Sequence, residues 1–166
     1  MKIKRLHEKA IMPHYSSEGA SAFDLFCYEE VQWLESTTSI RKYVDYYDWT
    51  LPDEYEVVKC HTALIKTGWA MEIPHECGLF ILSRSGHGFK HNTTLANSVG
   101  LLDYDYRGEA MVKLVCFDKE PPVIKAGTAV AQCVLMSTPK CYFMVNENLS
   151  KTERGSNGFG STDSNN

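Results

Sequence analysis

AMVKLVCFD, residues 110–118, is an apolar run whose only interior charge is Lys113. That pattern suits a β-strand with one dry face and one wetter face. Working outward, FDLFCY (23–28), VVKCHTALIK (57–66), CGLFILSR (77–84), TAVAQCVLM (128–136) and CYFMV (141–145) are short runs of the same β-rich kind. Turn-forming pieces separate them, among them IPHEC (73–77), DKEPPVIKAG (118–127) and STPK (137–140). Many short strands at this spacing predict an all-β sandwich or barrel rather than alternating β and α units.

One stretch breaks the pattern. Between Val31 and Trp49, the residues Ile40, Tyr43, Val44 and Tyr47 fall at the spacing of a helical face, and Ser39 or a residue just before it could cap such a helix. The alternative is a hydrophobic surface insertion lying on the sheet, of which a hairpin rich in tyrosine is one form. No internal repeat is visible. The last dozen residues are rich in glycine, serine and asparagine and cannot build a core, so flexibility is expected there.

With 166 residues, the chain is long enough for one domain with a sizeable core. A net charge of −4 argues against duplex nucleic acid as the main partner, while a local cluster of arginine and backbone amides could still hold a small anion. No apolar run reaches the ~20 residues that a membrane span needs, and MKIKRLHEKAIMPHY lacks the hydrophobic stretch of a secretory signal. The six cysteines contain no C-x-x-C pair, and several sit inside apolar runs, where cysteine behaves as a small hydrophobe. A reducing, cytoplasmic setting is expected, which would be the host cytoplasm for a viral or phage protein.

The densest polar signal runs from Ser83 to Glu109. Arg84, Ser85 and Gly86 suit close approach of backbone to an anion. If Ser85–Gly86 opens a short helix through Lys90, its free amides would face a phosphate. A plain surface turn explains the same tetrapeptide. Asn97 could read a base edge, since its amide both donates and accepts, and Asp103 could act as a general base. Tyr106 could stack on a flat group, and the competing reading is a solvated polar turn. His87 and His91 have a zinc-compatible spacing, but no acidic third ligand is spaced to join them.

The joint order of the segments decides between these readings. ASAFDLF (20–26), SRSG (83–86), NSVGLLDYDYRGE (97–109), GTAVAQCVL (127–135) and RGSNGFGST (154–162) resemble, in order, the five motifs of the trimeric dUTP pyrophosphatases (dUTPases). The resemblance covers nearly the whole chain apart from an extension at residues 28–57. It implies a jelly-roll-like distorted β barrel over 1–149 that assembles as a homotrimer, with a flexible, nucleotide-closing arm at 150–166. The substrate it implies is dUTP, the products are dUMP and pyrophosphate, and the cofactor is Mg²⁺. Hydrolysis would keep uracil out of DNA and supply dUMP for dTMP synthesis.

By the same resemblance, Asp24 would orient hydrated Mg²⁺ through a water, and Asp103 would deprotonate the attacking water. Arg84, Ser85, Gly86 and Gln132 would contact phosphate. Asn97 and the hairpin backbone around Gly100 would hold uracil, and Tyr106 would pack under deoxyribose. Arg154 would meet the γ-phosphate, Phe159 would cover the base, and Gly160, Ser161 and Thr162 would complete the closing arm. Extended, the chain from Leu149 to Thr162 reaches about 45 Å, enough to cross to a neighbouring subunit.

Several positions depart from the family pattern. Ser83 stands for the usual proline, which should loosen the turn; Ala129 stands for a common arginine, and Ala22, Asn157 and Asp163 for glycines. Two other functions remain to be weighed: a deaminase acting on dCTP, and a nucleotide-gated regulator that uses the aromatic-rich extension as its contact surface.

Overall fold

Glu109–Cys116 forms a strand (β9) in which Ala110, Val112, Leu114 and Cys116 are buried while Met111 and Lys113 face outward. The alternation read from residues 110–118 is therefore the pleat of a half-buried strand. β9 lies between β5 (Tyr55–Glu72) and β7 (Thr93–Leu95), and β1 (Lys2–Arg5) and β4 (Leu34–Arg41) complete that sheet by pairing with β5. The second sheet runs in the order β2 (His14–Tyr15), β3 (Phe23–Phe26), β10 (Ala129–Ser137), β6 (Cys77–Leu82) and β8 (Gly100–Leu102). Every pairing in both sheets is antiparallel. The computed structural model describes residues 1–41 and 55–157.

The two sheets share one core. Phe23, Leu25, Leu79, Ile81, Ala131 and Cys133 from the second sheet pack with Ala63, Ile65, Trp69, Met71, Val112 and Leu114 from the first. Each large side chain buried there stabilises the fold by roughly 1.5–3 kcal/mol relative to exposure. This is an all-β, jelly-roll-like arrangement of two facing sheets.

β5 organises the first sheet because it serves three partners. His61 and Thr62 pair with both β4 and β9, while Ala70 pairs with both β1 and β9, so β4 and β1 share one edge of β5. The register to β9 shifts between Lys66 and Ala70. Gly68 sits in this irregularity with φ of 75° and lies so close to the N-terminal segment that a Cβ would stand 2.5 Å from Ala10 Cβ. Only glycine adopts that backbone at no steric cost. Its amide donates to Glu109 Oε1 at 2.8 Å, and its carbonyl accepts from Leu6 N–H at 2.8 Å.

The helix considered after Val31 is not formed where it can be checked. Ser39 and Ile40 lie in β4, paired with Val57 and Glu56, because the β-branched run STTSI finds an antiparallel partner in EVV. Tyr43, Val44 and Tyr47 lie outside the described residues. The pairs from Ser36↔Cys60 to Arg41↔Tyr55 lie beyond the last β5–β9 pair, His61↔Cys116. The hairpin thus projects as a two-stranded ribbon for about 20 Å. CYFMV forms no strand either: Tyr142, Phe143, Met144 and Val145 are almost fully exposed, and no strand among the described residues pairs with them.

All six cysteines are free thiols; Cys27, Cys60, Cys116 and Cys133 are buried. Among the described residues, no helix is long and apolar enough to cross a membrane.

Candidate active site

The second sheet brings three of the five motifs together. Asp24 on β3 stands opposite Gln132 on β10, and Gln132 stands opposite Leu82 at the end of β6. Directly opposed residues of an antiparallel pair share a face, so the two polar side chains lie on one side of the sheet. The adjacent row, Phe23–Cys133–Ile81, supplies the core on the other side. After Leu82 the chain leaves the sheet and turns into α1 (Ser85–His91), the short helix that the Ser85–Gly86 start predicted.

Arg84 occupies the N-cap position of α1 with an extended backbone. Its carbonyl accepts from the amides of His87 and Gly88, both at 3.1 Å. Its guanidinium reaches back over the sheet. Nε and Nη2 meet the two Asp24 carboxylate oxygens at 3.1 and 3.3 Å, and Nη1 donates to the Ala129 carbonyl at 3.1 Å. The carboxylate predicted to serve a metal and the arginine predicted to serve a phosphate therefore hold each other. The Asp24 side chain is 12% exposed and that of Arg84 34%.

The turn itself is tied down by side chains. Gln132 Nε2 donates to the Ser83 carbonyl at 2.8 Å. Ser83 Oγ accepts the Leu95 amide at 2.9 Å and lies 2.9 Å from Thr94 Oγ1. Serine in place of proline thus stitches β6 to β7 across the two sheets, against the expectation of a looser turn. Ser85 and Gly86 are exposed, and a Cβ at Gly86 would meet nothing within 4 Å. Two depressions flank α1. One, about 400 Å³, is lined by Ser83, Arg84, Ser85, Gly88, Phe89 and Gln132. The other, about 270 Å³, has Arg84, His87, Lys90, His91 and Thr128 among its lining residues.

The third motif joins the same sheet through β8, on the far side of β6 from β10. Gly100 on β8 packs against β6 with no room to spare, since a Cβ there would lie 3.1 Å from Ile81 Cβ. Beyond it the chain bends at Asp103, whose carbonyl accepts the Tyr106 amide at 3.2 Å. Asn97, Asp103 and Tyr106 are all exposed. The Tyr106 hydroxyl donates to the Glu109 carbonyl at 3.2 Å, and its ring lies over Gly108, where a Cβ would collide with it. Arg107 donates to the carbonyls of Tyr104 and Tyr106 at 2.6 and 2.9 Å, bracing the bend. Neither depression beside Arg84 includes Asn97, Asp103 or Tyr106. In the fifth motif, Arg154 Nε donates to the Asn157 carbonyl at 2.9 Å. Phe159, Gly160, Ser161 and Thr162, like Asp163, lie outside the described residues.

Against this geometry the comparisons are decisive. The family model described as dUTPase matches residues 41–163. The chain belongs to the dUTPase family. Among curated relatives, the deoxyuridine 5'-triphosphate nucleotidohydrolase of Nautilia profundicola is 37% identical over 162 residues, covering 98% of this chain and 97% of its own length. That of Hydrogenobaculum sp. is 34% identical over 160 residues, covering 96% and 95%. A solved dUTPase of Staphylococcus bacteriophage 80alpha with dUpNHpp superposes with a TM-score of 0.70 at 22% identity, covering 97% of this chain and 96% of its own. Family membership makes the chain a hydrolase of the dUTP diphosphatase class.

Within this dUTPase chain, two features of the site carried no sequence signal. The Ala129 carbonyl anchors Arg84, and a main-chain acceptor is invisible in a residue type. His87 Nε2 meets the same oxygen at 2.9 Å. Behind Asp24, the Cys133 thiol is pushed up to about 12, by burial first and by the carboxylate's charge second. It stays protonated on the core side of the sheet. Among the described residues there is no group of three or more His, Cys, Asp or Glu placed to hold a metal ion.

Proposed function

We propose that the chain converts dUTP to dUMP and pyrophosphate in sites assembled from copies of itself, as a homotrimer. The observation that carries this reading is the division of the motif residues. Arg84, Ser85 and Gln132 line one depression beside α1 and Gly86 lines the other, while Asn97, Asp103 and Tyr106 are exposed and line neither. Shared sites would join the phosphate half of one copy to the base half of another. The exposed apolar run Tyr142–Val145 supports assembly, since a second copy would remove it from water.

In this reading Asn97 and the backbone at Gly100 hold uracil, and a wrong base would leave buried polar groups unpaired. Tyr106, fixed against Gly108, limits the space beside the sugar. Asp103 accepts a proton from water as its oxygen bonds to the α-phosphorus, the bond to the bridging oxygen breaks, and pyrophosphate departs. No covalent intermediate is required. Arg84 and the Ser85 and Gly86 amides oppose the developing charge. Arg154, Phe159, Gly160, Ser161 and Thr162 form the closing arm, residues 150–166. Asp24 would hold hydrated Mg²⁺ through a water, and the ion would supply charge neutralisation at the phosphates.

Purified protein with Mg²⁺ should release pyrophosphate from dUTP and little from dCTP, dTTP or UTP. Ammonia release from dCTP, or dUTP binding without turnover, would sink the assignment. A second, regulatory role has one observation in its favour: the β4–β5 ribbon projects past β9, where among the described residues neither of its edges is paired. Deleting residues 42–54 should leave pyrophosphate release intact if the ribbon serves contact rather than chemistry.

A further inference from the structure

The Ala129 carbonyl accepts two side-chain donors at once, Arg84 Nη1 at 3.1 Å and His87 Nε2 at 2.9 Å. A carbonyl oxygen has two lone pairs, so both are taken. Because the carbonyl can only accept, Nε2 carries a proton. The other ring nitrogen, Nδ1, is buried with no hydrogen-bond partner. The bond to Ala129 is thus the ring's one polar anchor, kept although its second nitrogen goes unsatisfied. Unpaired buried polar atoms are uncommon and call for a reason.

Arg84 supplies that reason. Asp24 takes the Nε–Nη2 fork and Ala129 takes Nη1, so each guanidinium nitrogen has a partner within the protein while two of its five N–H donors remain. A phosphate that takes the arginine through that fork, or through the Nη1 donor now on Ala129, draws it off one of these partners. Ala129 is buried, and a buried carbonyl stripped of its donor resists that change. His87 removes the obstacle, since its N–H stays on the oxygen whichever way the arginine turns.

We propose that His87 is a positioning residue for the phosphate-side arginine: it keeps the Ala129 carbonyl bonded so that Arg84 can exchange between the protein and an anionic ligand. This rests on the hydrolase reading only for the identity of the anion. His87 itself touches neither substrate nor metal. The helix carries it to the carbonyl because position 87 lies one turn inside α1, three residues after the arginine it serves.

The test uses full-length protein and calorimetric binding of dUpNHpp, with inorganic tripolyphosphate as a second probe that needs no uracil recognition. His87→Ala should weaken both ligands about tenfold, the size of one lost hydrogen bond to a buried group. His87→Gln, whose amide can donate to the same oxygen, should bind within about twofold of wild type. In an Arg84→Lys background, where one nitrogen cannot hold Asp24 and Ala129 together, His87→Ala should change little further. Wild-type affinity in His87→Ala would overturn the inference, as would a full further loss in the Arg84→Lys background. A loss that Gln does not rescue would also overturn it. Failure of wild-type protein to hydrolyse dUTP would instead count against the functional reading, and tripolyphosphate binding by the variants would still decide the role of His87.

Discussion

Asp24→Asn should move two assays in opposite directions, because Asp24 holds the arginine in the free protein and, in the proposed mechanism, serves the metal in the loaded one. The contacts to Arg84 measure 3.1 and 3.3 Å, longer than the 2.7–2.9 Å typical of strong charge-assisted bonds. A third of the arginine side chain is exposed, which screens the pair further. A net strength of about 1 kcal/mol is reasonable after both reductions. Asparagine keeps the shape, removes the charge and frees Arg84 for an incoming anion. At about 1.4 kcal/mol per factor of ten, dUpNHpp binding in EDTA should tighten roughly fivefold. Turnover with Mg²⁺ should fall about 10–100-fold, as when an outer-sphere partner of a metal is lost. Repeating the calorimetry at about 0.5 M salt separates release of the arginine from the loss of simple repulsion, which salt screens. Weaker or unchanged metal-free binding by Asp24→Asn would show that the ion pair does not compete with the ligand.

Asp103→Asn should bind dUpNHpp as wild type while losing at least about 100-fold in rate, the low end for removal of a general base; normal turnover would eliminate Asp103 from the chemistry. A chain ended after Ser150 should sediment as the intact protein does and lose most dUTP hydrolysis, since the polar contacts at residues 152–157 are made among themselves. Full activity of that chain would remove the arm from the mechanism. Gly68→Ala should cost about 2–4 kcal/mol in urea denaturation, combining a left-handed alanine with a forced contact at Ala10. A loss below about 0.5 kcal/mol would mean that the N-terminal segment yields freely.

Strand interiors were legible in the sequence because burial writes itself into alternation, as at Val112 and Leu114 around Lys113. The turns at 73–77, 118–127 and 137–140 were legible through their proline, glycine and charge. β4 was not, since four aromatic and aliphatic residues can fall at helical spacing by chance while the strand partner lies some 20 positions away. CYFMV was misread for the opposite reason. Its composition is that of a strand, but a strand needs an edge, and none among the described residues pairs with it. Within the site, side chains such as Asp24, Arg84 and Gln132 could be named in advance. Their mutual bonds could not, because no residue type records that a carboxylate will face an arginine 60 positions away.

The thiol behind Asp24 has a consequence for chemical wear. Electrophiles and oxidants attack the thiolate, and a group pushed up to about 12 is ionised at pH 7 only about once in 10⁵ molecules. A redox swing therefore spares this thiol on the core side of the second sheet, while Cys141 stands exposed to it. The same proton ties stability to alkalinity. An unfolded chain releases it near 9.0 and the folded one near 12, so its contribution is whole below about pH 9 and fades as pH climbs toward 12.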